Sequence, residues 1–328
     1  MNSPLAAARV RLAPVARRWY QQLDNPEVRN ARRLAEAVRS APPDVVYFGE
    51  SASLFVSGAD ADQRPLFRMI ADELGAGTTV HAIAGAGYHA RLFDAYAQLL
   101  GAGSWRPVVV LPLWVRGSFT AWTRHPVYGY QHAVRAIRAV DRNAPLWRIR
   151  ARIGPPGELD WTLHDQLSHP TLIGDLKVGA YRLPLKDPAK YGLDRQARLR
   201  LLYAFHHGGA ITPDTPYLAD VTRFGRTLRE LGCPVVAYQT PVPVERGVEL
   251  FGPAFADLAA ANFALMGEAF GRGYGPVGIP PTGTSYASSD FVDPDDGTEH
   301  VNEKGRLRLA AEIAGGVSAA LAARSQAG

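Results

Sequence analysis

At 328 residues, 47% hydrophobic and 20% charged, the chain is long enough for one large α/β domain with an insertion and too apolar for general disorder. Its formal net charge of +5 (pI about 9.4) comes from 36 basic residues scattered among 31 acidic ones. With no long like-charge run and no aromatic–basic stripe, a nucleic-acid module is not expected. The single cysteine, Cys233, excludes an intramolecular disulfide and a zinc site built mainly from cysteines. No stretch approaches the ~18 apolar residues of a membrane span, and Arg9 and Arg11 interrupt the apolar pattern that a secretory signal would need. A cytoplasmic protein is expected, with no membrane span and no cofactor.

In chain order, helical periodicity over 27–40 leads through Pro42-Pro43 to a strand at Val45-Val46-Tyr47-Phe48, closed by Gly49. A helix over 65–74 stops at Gly75, a C-terminal cap. A second strand over 78–83 ends in Ala84-Gly85-Ala86-Gly87, and a helix over 88–100 follows, with Leu92, Ala95, Tyr96 and Leu99 on one face. The third strand, Val108 to Leu113, is nearly all apolar, as in a strand buried on both faces. Residues 117–220 are less regular, hold Trp122, Trp147 and Trp161, and show a helix over 130–140. Alternation resumes with a helix over 218–231, a strand over 235–238, and helices over 255–270 and 302–323. This order predicts a single domain over 1–328: a three-layer α/β/α architecture with a central parallel sheet, and 117–220 as a long insertion or lid after strand three.

Two segments carry candidate chemistry. Ser51 follows the first strand through Gly49-Glu50, at the carboxyl edge of the sheet where α/β proteins place reactive groups. The alternative is that Ser51 or Ser53 only caps a helix. Near the C-terminus, Asp293-Pro294-Asp295-Asp296-Gly297-Thr298-Glu299-His300 sets a histidine behind clustered carboxylates, just ahead of a terminal helix. That suits a general base oriented by an acid. The alternative is a loop whose acids, with Asn302, cap that helix. The other histidines lack metal-ligand spacing, and the adjacent pair His206-His207 diverges in any regular element, so no metal site is expected. His89 suits a surface or helix-start position. Gly85-Ala86-Gly87-Tyr88-His89-Ala90 fits a loose dinucleotide fingerprint, but no acid stands near the end of the following strand to take a ribose.

Together these segments resemble the SGNH/GDSL hydrolase superfamily. Gly49-Glu50-Ser51 takes the place of its Gly-Asp-Ser block, Gly87 (or nearby Gly85) the place of its second-block glycine, and His300-Val301-Asn302-Glu303-Lys304-Gly305 the place of its last block. The resemblance implies a flavodoxin-like sheet, a Ser51 nucleophile, a His300 base, and an oxyanion hole from the N–H groups of Ser51 and Gly87. This chain departs from the pattern in three ways. Glu50 replaces aspartate. Gly297 stands where the acid normally falls, so Asp296, Asp295 or Asp293 must supply it, with Asp296 favoured over Asp293. The strand-three segment Leu111–Ser118 has no asparagine, and Trp114, Arg116 or Ser118 is left as the substitute donor. Pro234-Val235-Val236-Ala237-Tyr238-Gln239-Thr240-Pro241-Val242 resembles a strand and turn of SGNH-like proteins from polysaccharide acylation loci, which would turn Gln239, Thr240 and Glu245 toward the cleft. The expected activity is acyl ester hydrolysis or O-acyl transfer on a hydroxylated or carbohydrate-like small molecule. The rival is a non-catalytic SGNH-like binding protein without a complete oxyanion hole.

Overall fold

The computed structural model describes residues 26–102, 105–119, 124, 130–140, 160–280 and 282–327. The first helix, α1 (Pro26–Ser40), opens with proline at its first turn, where no N–H is needed, and buries Val28, Ala31, Leu34, Ala35 and Val38 along one stripe. Strand β1 (Val45–Gly49) then runs straight into a four-residue helix, α2 (Ser51–Leu54). Helix α3 (Leu66–Leu74) ends at Gly75, whose φ of +77° is the cap conformation expected for glycine there. Strand β2 (Val80–Ala84) begins two residues later than the expected 78. Thr79 is drawn into a side-chain exchange with Asp44, donating its N–H to Oδ2 at 3.0 Å and accepting Asp44 N–H at 2.9 Å. Helix α4 (Ala90–Ala97) tightens into a 3-10 turn over Gln98–Ala102, and β3 occupies Val108–Leu113 as expected.

Beyond β3 come α5 (Arg116–Phe119), α6 (Gln131–Ala139), α7 (Trp161–Gln166), β4 (Ser168–Thr171), β5 (Gly174–Lys177), α8 (Val178–Lys186) and α9 (Arg195–His206). The chain closes with α10 (Pro216–Glu230), β6 (Val235–Gln239), α11 (Val244–Phe251), α12 (Ala254–Tyr274) and α13 (Glu303–Ala327). The central sheet is parallel throughout, in the order β2-β1-β3-β6, and β4–β5 form a separate antiparallel hairpin.

Side chains alternate across a strand, so each strand feeds both faces. Val46, Phe48, Val109, Leu111 and Ala237 pack under α1, α4, α6, α10 and α12, against Leu34, Leu92, Ile137, Phe224 and Phe270. Val45, Tyr47, Val108, Val110 and Tyr238 face the other way, onto Leu66, Met69 and Ile70 of α3 and Leu309, Ile313 and Val317 of α13. Helices therefore cover both faces of a parallel sheet. Helices α10 and α12 meet at glycines: a Cβ on Gly273 would lie 2.0 Å from Thr222 O, and one on Gly225 2.7 Å from Phe270 O.

The stretch 117–220 is not one uniform excursion. Helix α6 puts Ala133, Val134 and Ile137 into the main core, and α10 belongs to the helical layer. The hairpin with α8 and α9 builds a small core of its own from Leu176, Val178, Ala204 and Phe205, with Tyr181 stacked on Phe205 at 3.8 Å between ring centroids. Trp161 is exposed, with Arg182 over its ring at 4.5 Å; Trp122 and Trp147 lie outside the described residues. Among the described residues no helix is long and apolar enough to cross a membrane.

Candidate active site

Gly49 permits the turn out of β1, because a Cβ there would stand 2.5 Å from Ser53 Oγ and 2.6 Å from the Tyr47 ring. The cap of α2 is neither serine but Glu50, whose carboxylate accepts the Ala52 N–H at 2.6 Å. Ser51 is the first residue of the helix, and its hydroxyl donates to Glu50 Oε2 at 3.2 Å. Ser53 is buried and accepts from the Tyr47 hydroxyl at 2.9 Å, which in turn lies 2.7 Å from that of Tyr238. The capping alternative thus fails for both serines, because the longer carboxylate arm of the preceding glutamate reaches the helix N–H first.

His300 sits on a segment fixed at both ends. An antiparallel bridge joins Phe291 and Val301, and the Val292 N–H donates to His300 O at 3.0 Å. Asn302 caps α13, accepting the Gly305 N–H at 3.1 Å while its amide donates to Ser289 O and Phe291 O. The imidazole lies flat on Phe55, with ring centroids 4.2 Å apart and planes 4° from parallel. Phe55 directly follows α2, and its N–H donates to Ser51 O at 2.9 Å. A histidine from the far end of the chain is thereby carried onto the helical turn that starts at Ser51.

The carboxylates ahead of His300 are differently employed. Asp293 caps the 3-10 turn Pro294–Asp296 by accepting the Asp295 N–H at 2.8 Å. Asp295 lies between Arg195 and Arg246; partial burial raises its pKa, but bonds from both guanidinium groups outweigh this and hold it below the usual range. The Asp296 side chain lies outside what the structure describes. Gly297 stands at the position where an acid was expected because it turns the chain at φ +59°, with a Cβ there only 3.3 Å from the Tyr203 ring.

Behind Ser51 lies a charged cluster whose members the sequence reading had used otherwise or passed over. Glu299, 2% exposed, accepts from Trp114 Nε1 at 3.2 Å and from Arg116 Nη1 at 2.9 Å. Burial raises its pKa, but the charge of Arg116 and the hydrogen bond from it outweigh that and hold it below the glutamate range. Arg116 Nη2 reaches His206 Nε2 at 3.2 Å. His206 Nδ1 and His207 Nε2 both donate to Gly297 O, at 2.8 and 2.9 Å. The two rings converge, against expectation, because His207 leaves the helix at φ −134°, ψ −16°. Burial pushes the pKa of both histidines down, His207 to about 4, so both are neutral near pH 7. Glu50 is 1% exposed, and its Oε1 has no hydrogen-bond partner among the described residues. Burial, then repulsion from Glu299, raises its pKa to about 7 against the lowering pull of Ala52, Ser51 and Arg116.

Several expected oxyanion donors are engaged elsewhere. Trp114 and Arg116 are directed onto Glu299, since a buried carboxylate left without donors is costly. The Gly85 N–H extends the β1–β2 ladder to Gly49 O at 3.3 Å. Gly87, at φ +71°, remains the second-block candidate beside the Ser51 N–H; a Cβ there would meet the Tyr130 hydroxyl at 3.6 Å. The Ser118 side chain lies outside what the structure describes. Gln239 Oε1 accepts the Gly283 N–H and Glu245 Oε2 the Ser288 N–H, so both brace loops, while Thr240 is buried. His89 does stand at the start of α4, but buried, edge-on to Tyr130 and Tyr217. No group of three His, Cys, Asp or Glu able to hold a metal ion occurs among the described residues. No protein-family model matches the chain, and no curated protein matches it significantly.

Proposed function

We propose that the chain is an acyl-transfer enzyme of SGNH type, with Ser51 as nucleophile and His300 as general base, acting on an acyl ester of a hydroxylated or carbohydrate-like small molecule. The observation that carries this is the Phe55–His300 stack at 4.2 Å, which brings the only histidine of the C-terminal block onto the turn beginning at Ser51. The strand order β2-β1-β3-β6 supports it, matching the first four positions of a flavodoxin-like sheet, with Ser51 beside the switch point between β1 and β3. The Ser51 and Gly87 N–H groups are the proposed oxyanion donors. With water as acceptor the reaction is hydrolysis; with a sugar hydroxyl it is O-acyl transfer, both through the same Ser51 ester.

A second reading has its own observation: Trp114 and Arg116, the donors nearest the missing asparagine, are taken by Glu299, which suits an SGNH-like protein that binds without turnover. Fluorophosphonate labelling with short p-nitrophenyl ester turnover separates the two. The enzyme predicts capture at Ser51, abolished in Ser51→Ala, and turnover about 10²-fold lower or more in His300→Ala. A wild-type chain that is neither captured nor turns over any short ester is the binding protein instead.

A further inference from the structure

We propose that Glu50 is a catalytic residue of this site, the carboxylate that first receives the Ser51 proton, leaving His300 to serve the leaving group and the incoming acceptor. This rests on Ser51 being the nucleophile and moves the Ser51 proton from His300 to a second group, so that His300 acts as base toward the acceptor alone.

The geometry is direct. The Ser51 hydroxyl donates to Glu50 Oε2 at 3.2 Å, and the same oxygen is steadied by the Ala52 N–H at 2.6 Å. Oε1 has no partner among the described residues and is buried, so no donor at that oxygen holds the carboxyl in its charged form. Among the described residues, titratable and charged groups acting on Glu50 are Tyr47 from β1, Tyr238 from β6, Arg116 beyond β3, and Glu299 ahead of α13. The two phenols are buried and neutral, their pKa values raised by burial. Among the described residues, that leaves two buried carboxylates, Glu50 and Glu299, beside the Arg116 guanidinium. Arg116 bonds Glu299 directly, so Glu299 keeps the charge and Glu50 is the partner that takes up a proton. A carboxylate raised to about 7 is well matched to receiving and returning a proton at neutral pH.

The proton count closes over one turnover. Ser51 Oγ gives its proton to Glu50 Oε2 and bonds the acyl carbon, whose carbonyl pair moves to oxygen. Collapse breaks the bond to the leaving oxygen, which takes a proton from protonated His300. In the second half, the acceptor hydroxyl gives its proton to the now neutral His300 and bonds the acyl carbon. The bond to Ser51 breaks, and Oγ recovers its proton from Glu50.

Fluorophosphonate labelling isolates the first step, because fluoride leaves as an anion and needs no proton from His300. In the wild type the labelling rate should rise with pH through about 7 and level off. Glu50→Gln should slow it about 10²-fold or more and flatten that limb, while Glu50→Asp should retain a limb at a lower rate. Urea midpoints and near-ultraviolet circular dichroism check the folding of each variant; if the amide variant does not fold, Glu50→Asp decides. Equal rates with an unchanged limb in the folded variants overturn the role of Glu50 while leaving Ser51 as nucleophile. Failure of the wild type to label at Ser51 overturns both.

Discussion

A buried carboxylate that prefers its proton makes folding stability fall as pH rises, and Glu50→Gln isolates that dependence. The amide oxygen can keep the bond from Ala52 N–H, and the amide group occupies the volume of the carboxyl, so the substitution removes charge with little change of shape. Glutamate ordinarily titrates at 4.5, whereas in the folded chain Glu50 is raised to about 7 by burial and by Glu299. Below 4.5 the group is protonated folded and unfolded alike, and folding is unpenalised. Between 4.5 and 7 the unfolded chain releases the proton and the native chain keeps it, so stability falls. Roughly 2.5 pH units at about 1.4 kcal/mol each give about 3 kcal/mol of lost stability by pH 8. Urea unfolding of the wild type and Glu50→Gln at a series of pH values from 5 to 8 measures this directly. The variant should gain on the wild type progressively across the series, by about 2–3 kcal/mol. A difference between the two that stays constant with pH, or moves toward the wild type as pH rises, refutes the assignment of a proton to Glu50.

Two further substitutions test the surroundings of the site. Glu299→Gln sets an amide N–H group against one of two donors, Trp114 Nε1–H or Arg116, and removes the carboxylate to which Arg116 is bonded; a loss of about 2–3 kcal/mol in urea unfolding is expected, and a loss under about 1 kcal/mol would show that these bonds do little to hold the folded chain. In α12, Gly273→Ala should cost about 3 kcal/mol, since its Cβ would fall 2.0 Å from Thr222 O. Two residues earlier, Gly271→Ala meets nothing within 4 Å and should be neutral or stabilising by up to about 1 kcal/mol. Similar thermal midpoints for the two glycine variants would contradict the close crossing of α10 and α12.

Legibility in the sequence followed the range of the interactions involved. Strands β1, β3 and β6 could be read because each is a short apolar run flanked by breakers, and in β1 and β3 burial on both faces leaves that pattern undiluted. Helices α1, α3, α10, α12 and α13 carried either a periodic stripe or a clear stop. Helix α8 and the β4–β5 hairpin bury only a small satellite core, so their apolar spacing is too sparse to stand out, and α9 divides its buried residues between that core and the main one, which blurs its stripe. At the site, the placement of Ser51 after β1 and of His300 ahead of α13 followed from local order. The role proposed for Glu50 did not. It reads as a conservative replacement of aspartate until Arg116, 66 residues on, and Glu299, a further 183, are set beside it. Arg116 and Trp114 likewise look like spare donors until their acceptor is known to be buried.

The cluster behind Ser51 also bears on why such groups are there at all. Replacing a buried ion pair with apolar side chains of similar volume is often neutral or stabilising, so packing alone gives little reason for two carboxylates and a guanidinium beneath a sheet edge. A single carboxylate with Arg116 would form a neutral pair; the second, Glu50, is the one whose ionisation is opposed, and it is the one that touches the Ser51 hydroxyl. On the proposed role of Glu50, stability is given up at the atom where a proton would move. The hydrogen bonds from His206 and His207 to Gly297, and from Trp114 and Arg116 to Glu299, hold the segment that leads into His300. Glu50 and His300, the two groups proposed to move protons, are therefore anchored to one network, and a change in Arg116 should disturb them together rather than one at a time.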